Sequence, residues 1–448
     1  MLFELVSTLS MGAIASSAFV FQKKKESNDH EKIRVIADSL GLKTKNESIR
    51  LYRRNKSKNK RYTEYVYRVP LGISFKKFEK EKQTFLDGLN NRSRPDFNPR
   101  RLPQQLKQIN WKQNQLKQIQ SIFNKRVQLD KHIEMSYDGM LRIKVFEEGL
   151  TDMFPLTKEK ISKHKGWTVP LGTTLTNTIV HDFEKSPHML IGGATDMGKS
   201  TILNVIITTL LNNQSKHVTF TLIDLKGGLE FGMYENLKQT KHFACDIESA
   251  EEALKDVKRQ MADDFQMLRR TGKKDVKQAG IKRRHFVIID EAAELASAGE
   301  LDADVKKIKV SCENYIKDIA RRGRASGIRL LYSTQYPTTE TVSSQVKRNL
   351  ITRVCLPVDT STASMVVLDE GGAEKLPLIQ GRSIYKHHRT REMQASFISD
   401  ELVQEIIEPQ IDLNKVDKVN NKEGDSHAPF DVKEAKATRS YTVKFEET

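Results

Sequence analysis

The stretch Gly193-Ala-Thr-Asp-Met-Gly198-Lys199-Ser200 spaces two glycines, a lysine and a hydroxyl in the pattern G-x4-G-K-[ST]. Gly193 and Gly198 let the backbone curl through Ala194, Thr195, Asp196 and Met197, so that successive N–H groups point at a β-phosphate. Lys199 has the reach for the β- and γ-phosphates, and the Ser200 hydroxyl suits Mg²⁺. Thr201 follows in "GKSTILNVIITTLLNN", an apolar helical run whose positive N-terminal end would lie beneath the phosphates. The arrangement predicts ATP, held with Mg²⁺, as the ligand.

Such a loop needs an acidic partner at the end of a neighbouring strand. "HFVIIDEAAEL" supplies Asp290, which would reach the metal through water, and Glu291, which would polarise the attacking water as general base. Taken alone, the same letters also read as a strand ending in two surface acids. "LLYSTQYP" ends another apolar strand in Ser333, Thr334 and Gln335, and Gln335 is the candidate for contact with the γ-phosphate. "ARRGRASG" offers Arg321, Arg322 and Arg324, any of which would suit charge on a transferring phosphoryl group. Each reads equally well as a basic helix end favoured by the dipole.

The elements that must position these groups are legible as alternation. "HMLIGG", "HVTFTLIDL", "RRHFVIIDE", "IRLLYSTQ" and "LITRVCLPV" are short apolar runs separated mostly by helical patterns, which predicts an α/β motor over 166–400 built on a mostly parallel sheet. A small α+β module precedes it over 62–165. In that module "YTEYVYRVPLGIS" reads as a strand, and "FKKFEKEKQTFLDGL" as a helix presenting Phe75, Phe78, Phe85 and Leu86. "HIEMSYDGMLRIKVFEE" reads as a hairpin turning at Asp138-Gly139, and the Gln- and Lys-rich stretch 103–130 as helix.

The 448 residues carry a formal net charge of +17, which points to a polyanion. The three cysteines, Cys245, Cys312 and Cys355, form no C-x-x-C pair, so neither a zinc site nor a disulfide framework is indicated. Residues 5–21, "LVSTLSMGAIASSAFVF", are uncharged and are followed by Lys23, Lys24 and Lys25. That order predicts a single-pass membrane anchor over 1–21 with the motor on the cytoplasmic side. Residues 22–61, ending in "RRNKSKNKR", are expected to form a basic linker that contacts lipid or nucleic-acid phosphate, and residues 401–448 a flexible tail.

The order of "WTVPLGTTL", "GGATDMGKST", "TLIDLKGG", "RRHFVIIDEAAEL", "GRASGIRLLYSTQYP" and "DEGGAEKLP" resembles the FtsK/SpoIIIE family of DNA translocases over roughly 166–390. The resemblance implies a RecA-like motor, assembled as a homo-hexameric ring, that draws DNA through its channel. It places Lys199, Ser200, Asp290, Glu291 and Gln335 on the family's nucleotide positions. It also sets Asp224 and Lys226 beside the nucleotide, and Arg324 as the arginine offered to a neighbouring subunit. Asp196-Met197 stands where the family usually has Gly-Ser, and no winged-helix pattern follows the motor. A short, singly anchored motor of this kind resembles the coupling proteins of Gram-positive conjugative elements, with a relaxase and a secretion channel as partners. The alternatives are a DNA segregation pump and a ring ATPase of protein secretion.

Overall fold

The computed structural model describes residues 29–58, 61–91, 93–95, 126–128 and 130–415. The expected anchor, most of the expected helix 103–130, and residues 416–448 lie outside these. Among the described residues no helix is long and apolar enough to cross a membrane. The chain divides into two compact units at Gly149/Leu150.

The first unit contains α1 (Asp29–Ser39), β1 (Arg50–Lys56), β2 (Tyr62–Arg68), α2 (Phe75–Lys80), α3 (Lys82–Asn90), β3 (Ser93–Pro95), β4 (Arg126–Gln128), β5 (His132–Tyr137) and β6 (Leu141–Phe146). Its four-stranded sheet runs β1-β2-β6-β5, with Tyr65, Tyr67, Leu141 and Ile143 buried against Ile33, Phe78 and Phe85. The basic stretch expected as linker is therefore folded from Asp29 onward. Ile33 and Ala37 line the inner face of α1, and the buried pair Lys131–Asp29, 2.8 Å apart, ties that helix to the start of β5. Charge hid this from the sequence reading, because β1 is an edge strand whose cations face solvent, a common way to keep an edge from pairing with other chains. The expected single helix is two, broken at Glu81. The β5–β6 hairpin does turn at Asp138-Gly139, with Gly139 at φ +90°, but through a three-residue loop between the paired Tyr137 and Leu141.

The second unit is larger. In chain order it holds β7 (Phe154–Pro155), α4 (Lys158–Ser162), β8 (Thr168–Thr173), β9 (Thr178–Asp182), β10 (Met189–Gly192), α5 (Lys199–Gln214) and β11 (Val218–Ile223). Then come β12 (Thr240–Ala244), α6 (Ile247–Arg270), β13 (Arg284–Ile289), α7 (Ala303–Arg322), β14 (Ile328–Thr334), α8 (Ser344–Asn349) and β15 (Thr352–Cys355). It closes with α9 (Ser361–Leu368), β16 (Arg382–Lys386), β17 (Thr390–Phe397) and α10 (Asp400–Ile407). One sheet runs β12-β11-β13-β14-β10-β15-β16-β17-β8-β9, with β7 against β17.

From β12 to β15 every pairing is parallel, and the five apolar runs are five of these strands. Such strands are buried on both faces and read as unbroken hydrophobic segments. α5 and α10 supply one hydrophobic layer, α6 and α7 the other. From β15 to β9 the pairing is antiparallel, so the expected mostly parallel sheet is only the half that carries the phosphate loop. Leu156 and Ile161 belong to this unit's core, which moves its start from the expected 166 to Leu150. The expected tail is likewise folded to Lys415, because Val403, Ile406 and Ile407 form the inner stripe of α10.

Candidate active site

β10 ends in the middle of the sheet, between β14 and β15, and its chain turns through 193–198 into α5. The C-terminal ends of parallel strands, where the flanking chains part, are where open α/β sheets hold ligands. Two glycines are required here by space and torsion. A Cβ on Gly193 would stand 2.5 Å from the Leu356 Cβ, and Gly198 sits at φ +99° with Gly381 N 3.1 Å from where its Cβ would be. The loop is pinned on both sides: Gly193 N–H donates to Thr334 O (3.3 Å), Ala194 N–H to Pro357 O (2.9 Å), and Gly381 N–H to Met197 O (2.8 Å). Asp196, at the exposed crown of the loop, takes a left-handed φ of +62°, a conformation that the family's usual glycine adopts without strain. A cavity of about 190 Å³ opens beside the loop, lined by Gly198, Thr201, Gln380, Gly381 and Phe397.

Lys199 is buried at the first turn of α5 and donates from Nζ to Asp290 Oδ1 at 2.8 Å and Asp290 O at 2.6 Å. Asp290 is 1 % exposed, and its Oδ2 has no hydrogen-bond partner among the described residues. Buried carboxylate oxygens are nearly always paired, so this one fits a role in holding a cation. With the half-buried Ser200 one residue after Lys199, which bonds Asp290, the donor set fits Mg²⁺, which is held by one or two protein oxygens plus substrate phosphates rather than by an all-protein cage. Among the described residues no cluster of three acids, histidines or cysteines offers such a cage.

Glu291, 2 % exposed, caps the short turn after β13. Its Oε1 accepts from the Thr334 hydroxyl at 2.7 Å and from Ala293 N–H at 3.3 Å. Its Oε2 accepts from Gln335 N–H at 2.9 Å and faces Lys226 Nζ at 3.6 Å. The Gln335 side chain in turn accepts from the Thr195 hydroxyl at 3.0 Å. The register of β13, β14 and β10 thus brings Lys199, Ser200, Asp290, Glu291, Gln335 and the loop residues to one edge. Asp224, fully buried, accepts from the N–H groups of Lys226, Glu230 and Phe231, so it shapes the loop that carries Lys226.

Arg324 is not in this constellation. It precedes β14, so the whole of that strand, roughly 20 Å at about 3.3 Å per residue, lies between it and Gln335. Arg321 and Arg322 are paired with Asp318, at 2.9 and 3.3 Å, whereas Arg324 is exposed and its guanidinium makes no hydrogen bond or ion pair among the described residues. Beneath it lies a network the sequence reading missed: Glu184 accepts from Arg284 at 2.6 Å and from Arg329 at 2.8 Å. Burial pushes the Glu184 carboxyl up, but the two guanidiniums outweigh it and hold the group below the usual carboxylate range. The available signal was an arginine inside each of the apolar runs "RRHFVII" and "IRLLY", since a buried cation demands a partner.

Residues 157–285 match the FtsK/SpoIIIE family. The DNA translocase FtsK of Lactiplantibacillus plantarum is 30 % identical over 264 residues, covering 54 % of this chain and 32 % of the relative. The DNA translocase SpoIIIE of Bacillus subtilis is 28 % identical over 268 residues, 55 % of this chain and 33 % of that protein. The chain thus spans about a third of the length of these curated relatives. Among solved structures, the pCW3 conjugation coupling protein TcpA, in monomer form with ATPgS, superposes with a TM-score of 0.56 at 24 % identity, covering 86 % of this chain and 99 % of that one. That likeness supports the mixed α/β fold. Motif order and site geometry agree with the match of residues 157–285 to the FtsK/SpoIIIE family model.

Proposed function

We propose that the chain is an ATP-driven DNA translocase, anchored at the cytoplasmic face of a membrane and working as a homo-hexamer that feeds DNA to a conjugative transfer channel. The observation that carries the ATPase part is the convergence of Lys199, Asp290, Glu291 and Gln335 on one sheet edge. In this reading Lys199 leaves Asp290 for the β- and γ-phosphates, and the loop N–H groups cradle them. Mg²⁺, held through Ser200 and Asp290, would supply neutralisation of charge across the phosphate oxygens. Glu291 takes a proton from the attacking water as its oxygen bonds to the γ-phosphorus and the bond to ADP breaks. The cavity beside Thr201 gives the remainder of the nucleotide room.

The net charge of +17 supports a polyanionic track. Arg324, far from its own subunit's site and without a hydrogen bond or ion pair from its guanidinium among the described residues, suits donation to a neighbour, which supports a ring. The coupling role is drawn from the likeness of the fold to that of a conjugation coupling protein. A relaxase and channel proteins are the partners this role requires.

The test is ATP hydrolysis by the purified chain with and without DNA. Turnover should rise several-fold on adding DNA and vanish in Lys199→Ala. Equal turnover with and without DNA, or full activity in the variant, refutes the reading.

A further inference from the structure

We infer that Lys226 is a positioning residue that holds the Glu291 carboxylate away from water, and that a phosphate oxygen drawing its ammonium aside releases the base. The inference rests on the ATPase reading above. Three hydrogen bonds hold Glu291, from Thr334 Oγ1 and Ala293 N–H on one oxygen and from Gln335 N–H on the other, and the second oxygen also faces the Lys226 ammonium as an ion pair at 3.6 Å. A base must have a free oxygen within hydrogen-bond reach of the water it deprotonates. The arrangement described here is therefore one in which Glu291 is present but engaged.

The partners differ in their freedom to leave. Thr334 and Gln335 are fixed at the end of β14, and Ala293 lies in the turn that Glu291 itself caps. Lys226 alone reaches Glu291 through a flexible four-carbon stem, and its side chain is 35 % exposed. Its backbone is held. Lys226 N–H donates to buried Asp224, and Gly227 and Gly228 turn the chain at φ +77° and +76°. A Cβ on Gly228 would stand 2.9 Å from Cys245 Sγ, so this bend has no slack. The same loop is anchored behind the phosphate loop, where the buried Tyr234 donates its hydroxyl hydrogen to Asn204 of α5 at 2.9 Å. Motion at Lys226 is thus confined to its side chain, which faces both a buried carboxylate and solvent.

An ammonium in that position is a point charge that either a carboxylate or a phosphate satisfies. When a phosphate takes it, Glu291 Oε2 loses the counter-charge that faces it, the one partner able to depart, and that side of the oxygen opens to water. The anion has two possible sources, the DNA backbone and the nucleotide's own terminal phosphate.

Steady-state hydrolysis by the full chain, for wild type, Lys226→Met, Lys226→Arg and Lys226→Met/Glu291→Gln, with and without duplex DNA, tests this. Lys226→Met should raise kcat several-fold while KM for ATP moves less than twofold, Lys226→Arg should retain wild-type behaviour, and the double variant should be inactive. Loss of DNA stimulation in Lys226→Met identifies the DNA backbone as the source. An equal gain with and without DNA identifies the nucleotide phosphate. A kcat that is lowered or unchanged overturns the inference, and if wild type is DNA-stimulated it does so without touching the ATPase reading. Inactivity of both wild type and Lys226→Met overturns both.

Discussion

The Lys199–Asp290 pair has a consequence in the nucleotide-free protein that is separate from catalysis. The two groups are 4 % and 1 % exposed and 2.8 Å apart. Lys199→Met removes the cation and leaves a carboxylate buried without its counter-charge, at a cost of about 3–5 kcal/mol. For a unit of this size each kcal/mol lowers the unfolding midpoint by about 2–4 °C, so the fall should be roughly 6–20 °C. The double variant Lys199→Met/Asp290→Asn removes both charges, and replacing a buried pair by neutral groups is commonly close to neutral. Thermal unfolding of the Leu150–Thr448 unit, followed at pH 7.5 without nucleotide or metal, reads both numbers. The double variant should recover most of the lost midpoint, although neither variant hydrolyses ATP. If Lys199→Met is as stable as wild type, or if the double variant is no more stable than the single, then Lys199 does not rest on Asp290 between nucleotides and the coupling is refuted.

Asp196→Gly should leave stability almost unchanged, because relief of the left-handed torsion offsets the extra freedom glycine brings to the unfolded chain. It should also tighten ATP binding by removing a carboxylate beside the phosphates, more so at low salt; titration with a fluorescent nucleotide at two ionic strengths checks this, and weaker binding would contradict it. His181, His188 and His285 are each pushed down to about 3 by burial. Unfolded, they take protons below their ordinary 6.5 that the folded protein refuses. Stability is therefore full above pH 6.5 and drains as pH falls toward 3, and urea midpoints measured from pH 7 to pH 4 should decline steadily rather than stay flat.

The parallel half of the sheet and the nucleotide edge were legible because buried strands and phosphate loops leave contiguous signals. "HFVIIDE" is apolar up to the residues that turn toward ligand, and the loop's glycines are required by torsion and close approach. The antiparallel half was not legible. Strands such as Thr178–Asp182 alternate buried and exposed positions over a few residues, which is indistinguishable from a polar loop until a neighbour pairs with them. Charge misled the reading at the start of the described chain, where a narrow apolar stripe around Ile33 buries a helix of polar composition. At the other end the apolar residues Val403, Ile406 and Ile407 fill one short helix at the edge of a long polar segment, too brief a pattern to stand out. The engagement of Glu291 was out of reach for another reason: Lys226 on one side and Thr334 with Gln335 on the other approach it from two distant stretches of sequence, and only the register of β11, β13 and β14 brings them together.

That register also separates two kinds of chemistry along β14. At its C-terminal end Gln335 N–H and the Thr334 hydroxyl hold the base. At its N-terminal end Arg329 is clamped by Glu184, which stiffens the strand start directly after Arg324. A rigid strand cannot swing Arg324 across its own length to the phosphates it would serve. Under the proposed function, this arginine would therefore have to reach a transferring phosphoryl group from another copy of the chain. A single subunit would hold Lys199, Asp290 and Glu291 at its site without Arg324, so specific ATPase activity should rise with protein concentration as copies assemble, and a concentration-independent activity would refute the trans role.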